Sequence, residues 1–240
     1  MSLLELDRVR KGYGSGSGAR EVLRGVSLEI QTGELVVVWG LRGSGRSTLL
    51  RVAAGIEAPD GGVVRFEGHD LAAHGERLLG RGVGYCQKTL RFTDGHTVLD
   101  HAMVGPLSHW VAPRVARRRA HRALERVGAA RCAKMAQHEL SSAEAIRVAL
   151  ARTLVLEPRL IAIDEPAKGV ELIDRDPILS LLRSLADEGI AVLVSTGEST
   201  GLSEADRALV LGDGELRDAP PAVDRLAPVV PLRRARRASG

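Results

Sequence analysis

The chain opens with two stretches in which apolar and polar side chains alternate. LLELDRV, within residues 2–10, and VSLEI, residues 26–30, put every second side chain on one face, as half-buried strands do. Between them KGYGSGSGAR, residues 11–20, reads as a Gly/Ser loop. Residues 35–39 (LVVVW) are apolar without interruption, the pattern of a strand covered on both faces. GLRGSGRST follows, then a helical pattern carrying Leu49, Leu50, Val52 and Ala53 and closed by Gly55. Residues 62–66, after the turn PDGG, and residues 82–86 (GVGYC) read as further strands. From about Thr97 to Leu156 the period becomes helical and the composition more polar, which predicts an inserted helical subdomain. Residues 160–163 (LIAI) are a second buried strand and end on Asp164-Glu165. An amphipathic helix over 172–187, a buried strand over 190–195 and a hairpin built on ALVL (208–211) and the DGEL turn complete the pattern. No internal repeat is visible. From Ala219 onward Pro and Arg dominate, so one domain over residues 1–218 and a disordered tail over 219–240 are expected.

Length and composition narrow the class. A chain of 240 residues holds one α/β domain with a helical insert. Aromatics make up only 2% against 44% hydrophobic residues, so the core is aliphatic. Cys86 and Cys132 are far apart and fit no metal or redox spacing, which predicts buried, reduced thiols. No stretch is long and apolar enough to span a bilayer, and the charged MSLLELDRVRKGY start lacks the apolar block of a signal peptide. A cytoplasmic protein that reaches a membrane through a partner is expected. The net charge of +4 is concentrated in Arg114 to Arg126 and in the run Arg233, Arg234, Arg236 and Arg237. No aromatic residues accompany these arginines, so a solvated helix face and a loose tail are expected, not a nucleic-acid surface.

The sharpest chemical signal is Gly40-Leu-Arg-Gly43-Ser44-Gly45-Arg46-Ser47-Thr48. It fits the phosphate-binding loop G-x-x-x-x-G-K-[ST] at all but one position, with an apolar strand before it and a helix after it. Glycines let the backbone bend so that its N–H groups surround phosphate oxygens, and the helix N-terminus adds positive potential. Ser47 is placed to hold magnesium and Thr48 to reach a phosphate. Arg46 stands where the pattern has lysine. It keeps the charge but is longer, planar and forked, which matters at a tight site. The chain has only four lysines, Lys11, Lys88, Lys134 and Lys168, so two readings stay open: a general drift from Lys to Arg, or a site released from hydrolysis. The second signal is Ile161-Ala-Ile-Asp164-Glu165-Pro166. Here the first acid would support the magnesium and the second, Glu165, would polarise an attacking water.

Leu140-Ser141-Ser142-Ala143-Glu144 and the following AIRVALARTL resemble the signature LSGGE and its helix in the ATP-binding cassette (ABC) family. With GLRGSGRSTLL and LIAIDEP in the same order, the resemblance extends over roughly residues 2–217. HTVLD at 96–100 and ADRALVLGDGEL at 205–216 are similar to the lipoprotein-release and macrolide-export branch. The resemblance implies an α/β fold: a P-loop NTPase, ABC-type nucleotide-binding domain with an antiparallel β portion and an inserted helical subdomain. It also implies ATP and Mg2+ as ligands, a membrane permease in trans, and a second cassette closing head-to-tail, so that each nucleotide lies between one P-loop and the other signature. Tyr13 matches the aromatic that stacks on adenine. The resemblance extends the cofactor-binding set, with Tyr13, Gly40, Gly43, Ser44, Gly45, Arg46, Ser47 and Thr48, to Ser141, Ser142, Ala143 and Glu144. It gives the metal Ser47, Asp164 and Gln87.

Several positions depart from the family pattern. Ser142 and Ala143 replace the two signature glycines. Counting back from Thr97 puts Lys88 at the family's glutamine, and a one-residue slip restores it as Gln87. The histidine expected after the strand at 190–195 is absent, and Ser195-Thr196 runs into Gly197-Glu198. The loop after Pro166 reads Lys168-Gly-Val-Glu171 where the family ends in aspartate. The expected function is therefore an ABC transporter subunit that binds ATP with impaired hydrolysis. The alternative is a non-hydrolysing regulatory or pairing module. The short single cassette lacks the paired cassettes or coiled-coil insert of soluble ABC proteins in DNA repair or translation.

Overall fold

A computed structural model describes residues 2–14, 18, 20–73, 82–87, 95–198 and 204–219. Two sheets organise it. The antiparallel sheet has the order β2-β1-β4-β5, from β1 (Leu4–Tyr13), β2 (Arg20–Ile30), β4 (Gly61–Phe66) and β5 (His69–Asp70). The larger sheet has the order β10-β9-β3-β8-β7-β6, from β3 (Leu35–Trp39), β6 (Val83–Cys86), β7 (Leu160–Asp164), β8 (Ala191–Thr196), β9 (Arg207–Gly212) and β10 (Glu215–Asp218). Its β9-β3-β8-β7-β6 ladders are parallel and only the β9–β10 pair is antiparallel.

The uninterrupted apolar runs are strands covered on both sides. Val36 and Val38 of β3, Ala162 of β7 and Leu193 of β8 enter the core shared with the antiparallel sheet and with α1 (Arg46–Ala53). Leu35 and Val37, Ile161 and Ile163, and Val192 and Val194 point the other way, into a core shared with the helices. Those helices are α2 (Val98–Ser108), α3 (Pro113–Arg126), α4 (Ser142–Leu154) and α5 (Leu172–Asp187). Neither face of these strands is left for water, so no alternation survives in the sequence.

Among the described residues, the helical block between β6 and β7 contains three helices and two short 3-10 turns. Thr97 caps α2 in a reciprocal box with Asp100, and Pro113 starts α3 where its missing N–H has no partner to lose. On α3, Ala116, Ala120, Ala123 and Leu124 face inward while Arg114, Arg117, Arg118 and Arg122 face outward around a shallow depression. These arginines are exposed, as the sequence pattern predicts. Cys86 and Cys132 are both free and buried, and burial pushes the Cys86 thiol up to about 12.

The first hairpin is longer than its alternation predicts. β1 runs on to Tyr13 and β2 begins at Arg20, so the loop between them shortens. The reason is bulging. The β1–β2 register shifts between Leu6 and Val9, between Val9 and Arg10, and between Lys11 and Gly12, while Arg8 (φ 47°) and Gly25 (φ 78°) take left-handed conformations. Each bulge resets the period of two, and a strand read by its period ends too early. The Pro/Arg-rich segment 220–240 lies outside the described residues, as does Lys88.

Candidate functional site

The larger sheet reverses strand order around β3, which lies between β8 and β9 although it precedes both in the chain. In open α/β sheets the crevice beyond the strand C-termini at such a point is where ligands bind. Residues 40–45 sit there, joining β3 to α1. Gly43 (φ 82°) and Gly45 (φ 105°) adopt left-handed conformations that side chains rarely take. Gly45 also serves as the N-cap of α1, and a Cβ on it would lie 2.7 Å from Cγ1 of Val22 in β2. A Cβ on Gly40 would lie 2.6 Å from both the Leu211 carbonyl oxygen and Oγ of Ser44. The loop is thus pressed between β2 and β9 and requires glycine at these points. Free N–H groups at the start of α1 face the same crevice.

Two buried side-chain atoms have no hydrogen-bond partner among the described residues: Oγ of Ser44 and Nη1 of Arg46. Both belong to this loop. An unpaired buried donor or acceptor costs about 1–3 kcal/mol, and more when charged. Two such atoms two residues apart in the chain call for a polar partner.

Arg46 is 7% exposed and reaches across to the acid pair. Its Nη2 donates to Oε1 of Glu165 at 2.7 Å, and Lys168 pairs with the other carboxylate oxygen. Burial alone would raise the Glu165 carboxyl. The Lys168 hydrogen bond and the Arg46 charge outweigh it and hold the group below its ordinary range. Glu165 itself sits at φ 46°, just past the end of β7, with its N–H donated to the Ser195 carbonyl at 3.0 Å.

Asp164, the last residue of β7, accepts from the Ser47 hydroxyl at 2.6 Å through Oδ2 and from the Ser195 hydroxyl through Oδ1. A hydroxyl and a carboxylate held this close can share a hard divalent cation once phosphate oxygens complete its shell. Among the described residues no group of three or more His, Cys, Asp or Glu could hold a metal alone. The β6–β7 register pairs Cys86 with Ile163, which puts Gln87 at the strand end level with Asp164. Lys88 lies outside the described residues.

Tyr13 and Thr48 join one polar cluster at the edge of the crevice. The Tyr13 hydroxyl donates to Oε2 of Glu57 at 2.8 Å and lies 3.2 Å from Oγ1 of Thr48, while Arg51 donates to it at 3.1 Å. Tyr13 is 40% exposed, and the Lys11 ammonium lies over its ring, 5.9 Å from the centroid. Ser141, Ser142, Ala143 and Glu144 stand apart, at the start of α4. Ser141 is the N-cap, accepting from the Glu144 N–H at 3.2 Å, and Glu144 returns by accepting from the Ser141 N–H at 2.9 Å. The Ser141 N–H, with its hydroxyl and Arg131, holds the Glu144 carboxyl down at about 2, against the opposing effect of burial. Ser142 is exposed and Ala143 is buried.

Sequence reasoning missed Ser195 as a site residue. It is fully buried and faces Asp164 across the β7–β8 ladder, where their Cα atoms pair. A serine ending an otherwise apolar buried run was the available signal. It also missed how near Gly197 lies to Arg46. Gly197 and Arg46, with Arg42, Lys168 and Leu182 of α5, line a cavity of about 240 Å3.

Comparison with known proteins agrees with this geometry. Residues 23–168 match the family described as ABC transporter. The lipoprotein-releasing system ATP-binding protein LolD of Paramagnetospirillum magneticum is 31% identical, over 89% of this chain and 96% of that protein. The cell division ATP-binding protein FtsE of Escherichia coli is 32% identical, over 89% of this chain and 97% of that protein. Among solved structures, the dimeric structure of MJ0796, a bacterial ABC transporter cassette, superposes with a TM-score of 0.81 at 26% identity, covering 89% of this chain and 96% of that one. The post-hydrolysis dimer of the same cassette, bound to ADP and Pi, gives a TM-score of 0.81 at 25% identity, covering 90% and 98%.

Proposed function

This chain belongs to the ABC transporter family as an ATP-binding subunit, and from that premise we propose that it binds ATP with magnesium, pairs with a second cassette and a membrane permease in trans, and turns the nucleotide over slowly. The observation that carries nucleotide binding is the pair of unsatisfied buried atoms, Ser44 Oγ and Arg46 Nη1, in one glycine-bent loop at a helix N-terminus. Phosphate oxygens would satisfy both. Ser47 and Asp164 would hold the magnesium, with Gln87 at the neighbouring strand end, and the ion would neutralise phosphate charge. Tyr13 would stack on the base. Ser141, Ser142, Ala143 and Glu144 would meet the nucleotide of the other cassette. No described helix is long and apolar enough to cross a membrane, so contact with a bilayer would run through the permease.

Slow turnover is supported by the state of Glu165. A carboxylate that must take a proton from water works best with a raised pKa. Here Arg46 and Lys168 occupy both its oxygens and lower that pKa. The same observation favours a second reading, a pairing module that closes on ATP without hydrolysing it. In a dimer with a competent cassette, this chain's P-loop and signature would serve different nucleotides.

Binding and hydrolysis measured side by side, with the permease present and Glu165→Gln as the control, test the proposal. The expected result is ATP binding with turnover well under about 1 per second, a slow rate for an enzyme. Turnover at ordinary enzymatic rates would remove the impairment. ATP binding with no turnover above the Glu165→Gln control would select the pairing module.

A further inference from the structure

The side chain that Gly197 lacks would fall against the Arg46 guanidinium. A Cβ built there lies 3.1 Å from Nη1 and 3.2 Å from Nη2 of Arg46, and 3.4 Å from Oε1 of Glu165. The two contacts to the guanidinium are tighter than most packing contacts, so the fork would have to shift by a few tenths of an ångström, while the contact to Glu165 is ordinary. The backbone at Gly197 is outside the left-handed region, so local conformation makes no demand for glycine. What a side chain there would meet is the Arg46 fork in its present place. Arg46 is the first residue of α1 and Gly197 directly follows the last residue of β8, so the two meet through the fork of Arg46 at the C-terminal end of the sheet.

One prong of that fork has work and the other has none. Nη2 is bound to Glu165, whereas Nη1 is buried, charged and unpaired. The whole residue is more than nine-tenths buried, and it lines the cavity of about 240 Å3 described above. A lysine would carry its three donors on one ammonium nitrogen with a shorter reach, not on two nitrogens set in a fixed planar fork.

We propose that Arg46 and Gly197 form one phosphate-gripping unit. Gly197 is a positioning residue that leaves room for the fork, and Arg46 Nη1 is the donor reserved for the terminal phosphate of a nucleoside triphosphate. The unit distinguishes ATP from ADP in this chain. This rests on the nucleotide-binding reading given above, and adds that the arginine at 46 and the missing side chain at 197 are one change, not two.

The test is a titration of the full chain with ATP and with ADP, in magnesium, for the wild type, Gly197→Val, Arg46→Lys and the double variant. Gly197→Val is expected to weaken ATP binding about tenfold, the size of one charge-assisted hydrogen bond, with ADP binding changed little. In the Arg46→Lys background the same change at 197 is expected to have no further effect on ATP. A purely structural role for Gly197 would not be suppressed by a change at 46. Gly197→Ala, the smaller intrusion, gives the same pattern at reduced size if the valine variant does not fold. Equal losses at 197 in both backgrounds, or equal losses for ATP and ADP, overturn the unit while leaving nucleotide binding intact. A wild type that binds neither nucleotide overturns the nucleotide reading itself, and the unit with it.

Discussion

The Ser47 hydroxyl lies 2.6 Å from Oδ2 of Asp164 and ties the first turn of α1 to the last residue of β7. This short contact joins the phosphate loop to the acid pair and sets the place of the proposed metal. Ser47→Ala is expected to lower ATP affinity about tenfold in magnesium and much less in chelator, because one oxygen ligand is lost and the loop backbone is kept. Titrations with and without magnesium measure the difference. Equal losses in both conditions would place the metal elsewhere.

Glu165 makes a stability prediction with a definite sign. Its folded-state pKa lies below the ordinary 4.5, so its ion pairs contribute fully above that value and are lost as the pH falls through the folded pKa. Glu165→Gln is therefore expected to destabilise the nucleotide-free protein at pH 7 by about 2 kcal/mol, mostly by leaving the buried Arg46 without its counter-charge. Urea unfolding of both proteins at pH 7 and at successively lower pH should show the gap closing as the pH falls below the ordinary 4.5 and through the folded pKa. A gap that persists at low pH would mean the carboxylate charge is not its source.

For turnover, Arg46→Lys and Gly197→His together are expected to give more than the product of their separate effects. Alone, a histidine at 197 meets the guanidinium, since even its Cβ comes within 3.1 Å of Nη1. With lysine at 46 the obstruction is withdrawn, and Glu165 is freed from one of its two cations. Steady-state ATPase rates of the four proteins decide it, and simple additivity would separate the two positions.

The start of α4 makes a prediction independent of nucleotide. Ser141→Ala removes the N-cap and is expected to cost about 1 kcal/mol of stability. Glu144, held at about 2, contributes fully above its ordinary 4.5 and loses that contribution between there and about 2. Glu144→Gln should thus destabilise at neutral pH and converge with the wild type near pH 2. Denaturant midpoints across that range are the check.

The sequence shows some of this plainly and hides the rest for physical reasons. LVVVW, LIAI and IAVLVS announce buried parallel strands because burial on both faces leaves no polar positions. The phosphate loop and Asp164-Glu165 are local motifs, complete within a few residues. Ser195 acts only through its neighbour in the ladder, and nothing near it in the chain points to Asp164. The Arg46–Gly197 contact joins residues about 150 apart in the chain, so each reads alone as a departure from a pattern. The bulged hairpin fails for another reason: its residues are strand-like, but their period is reset. The signature positions were legible as residues, yet their capping bonds depend on where α4 starts.

Strand β3 sends Val36 and Val38 into one core and Leu35 and Val37 into the other. A strand gripped on both sides can neither roll nor slide without opening both cores, so the loop at its end is an anvil. Under the nucleotide binding proposed above, the groups poised to respond at that loop are the Arg46 fork and the Glu165 carboxylate it holds. Any stroke passed to a partner would begin as the breaking of the Arg46–Glu165 pair, with the strand beneath standing still.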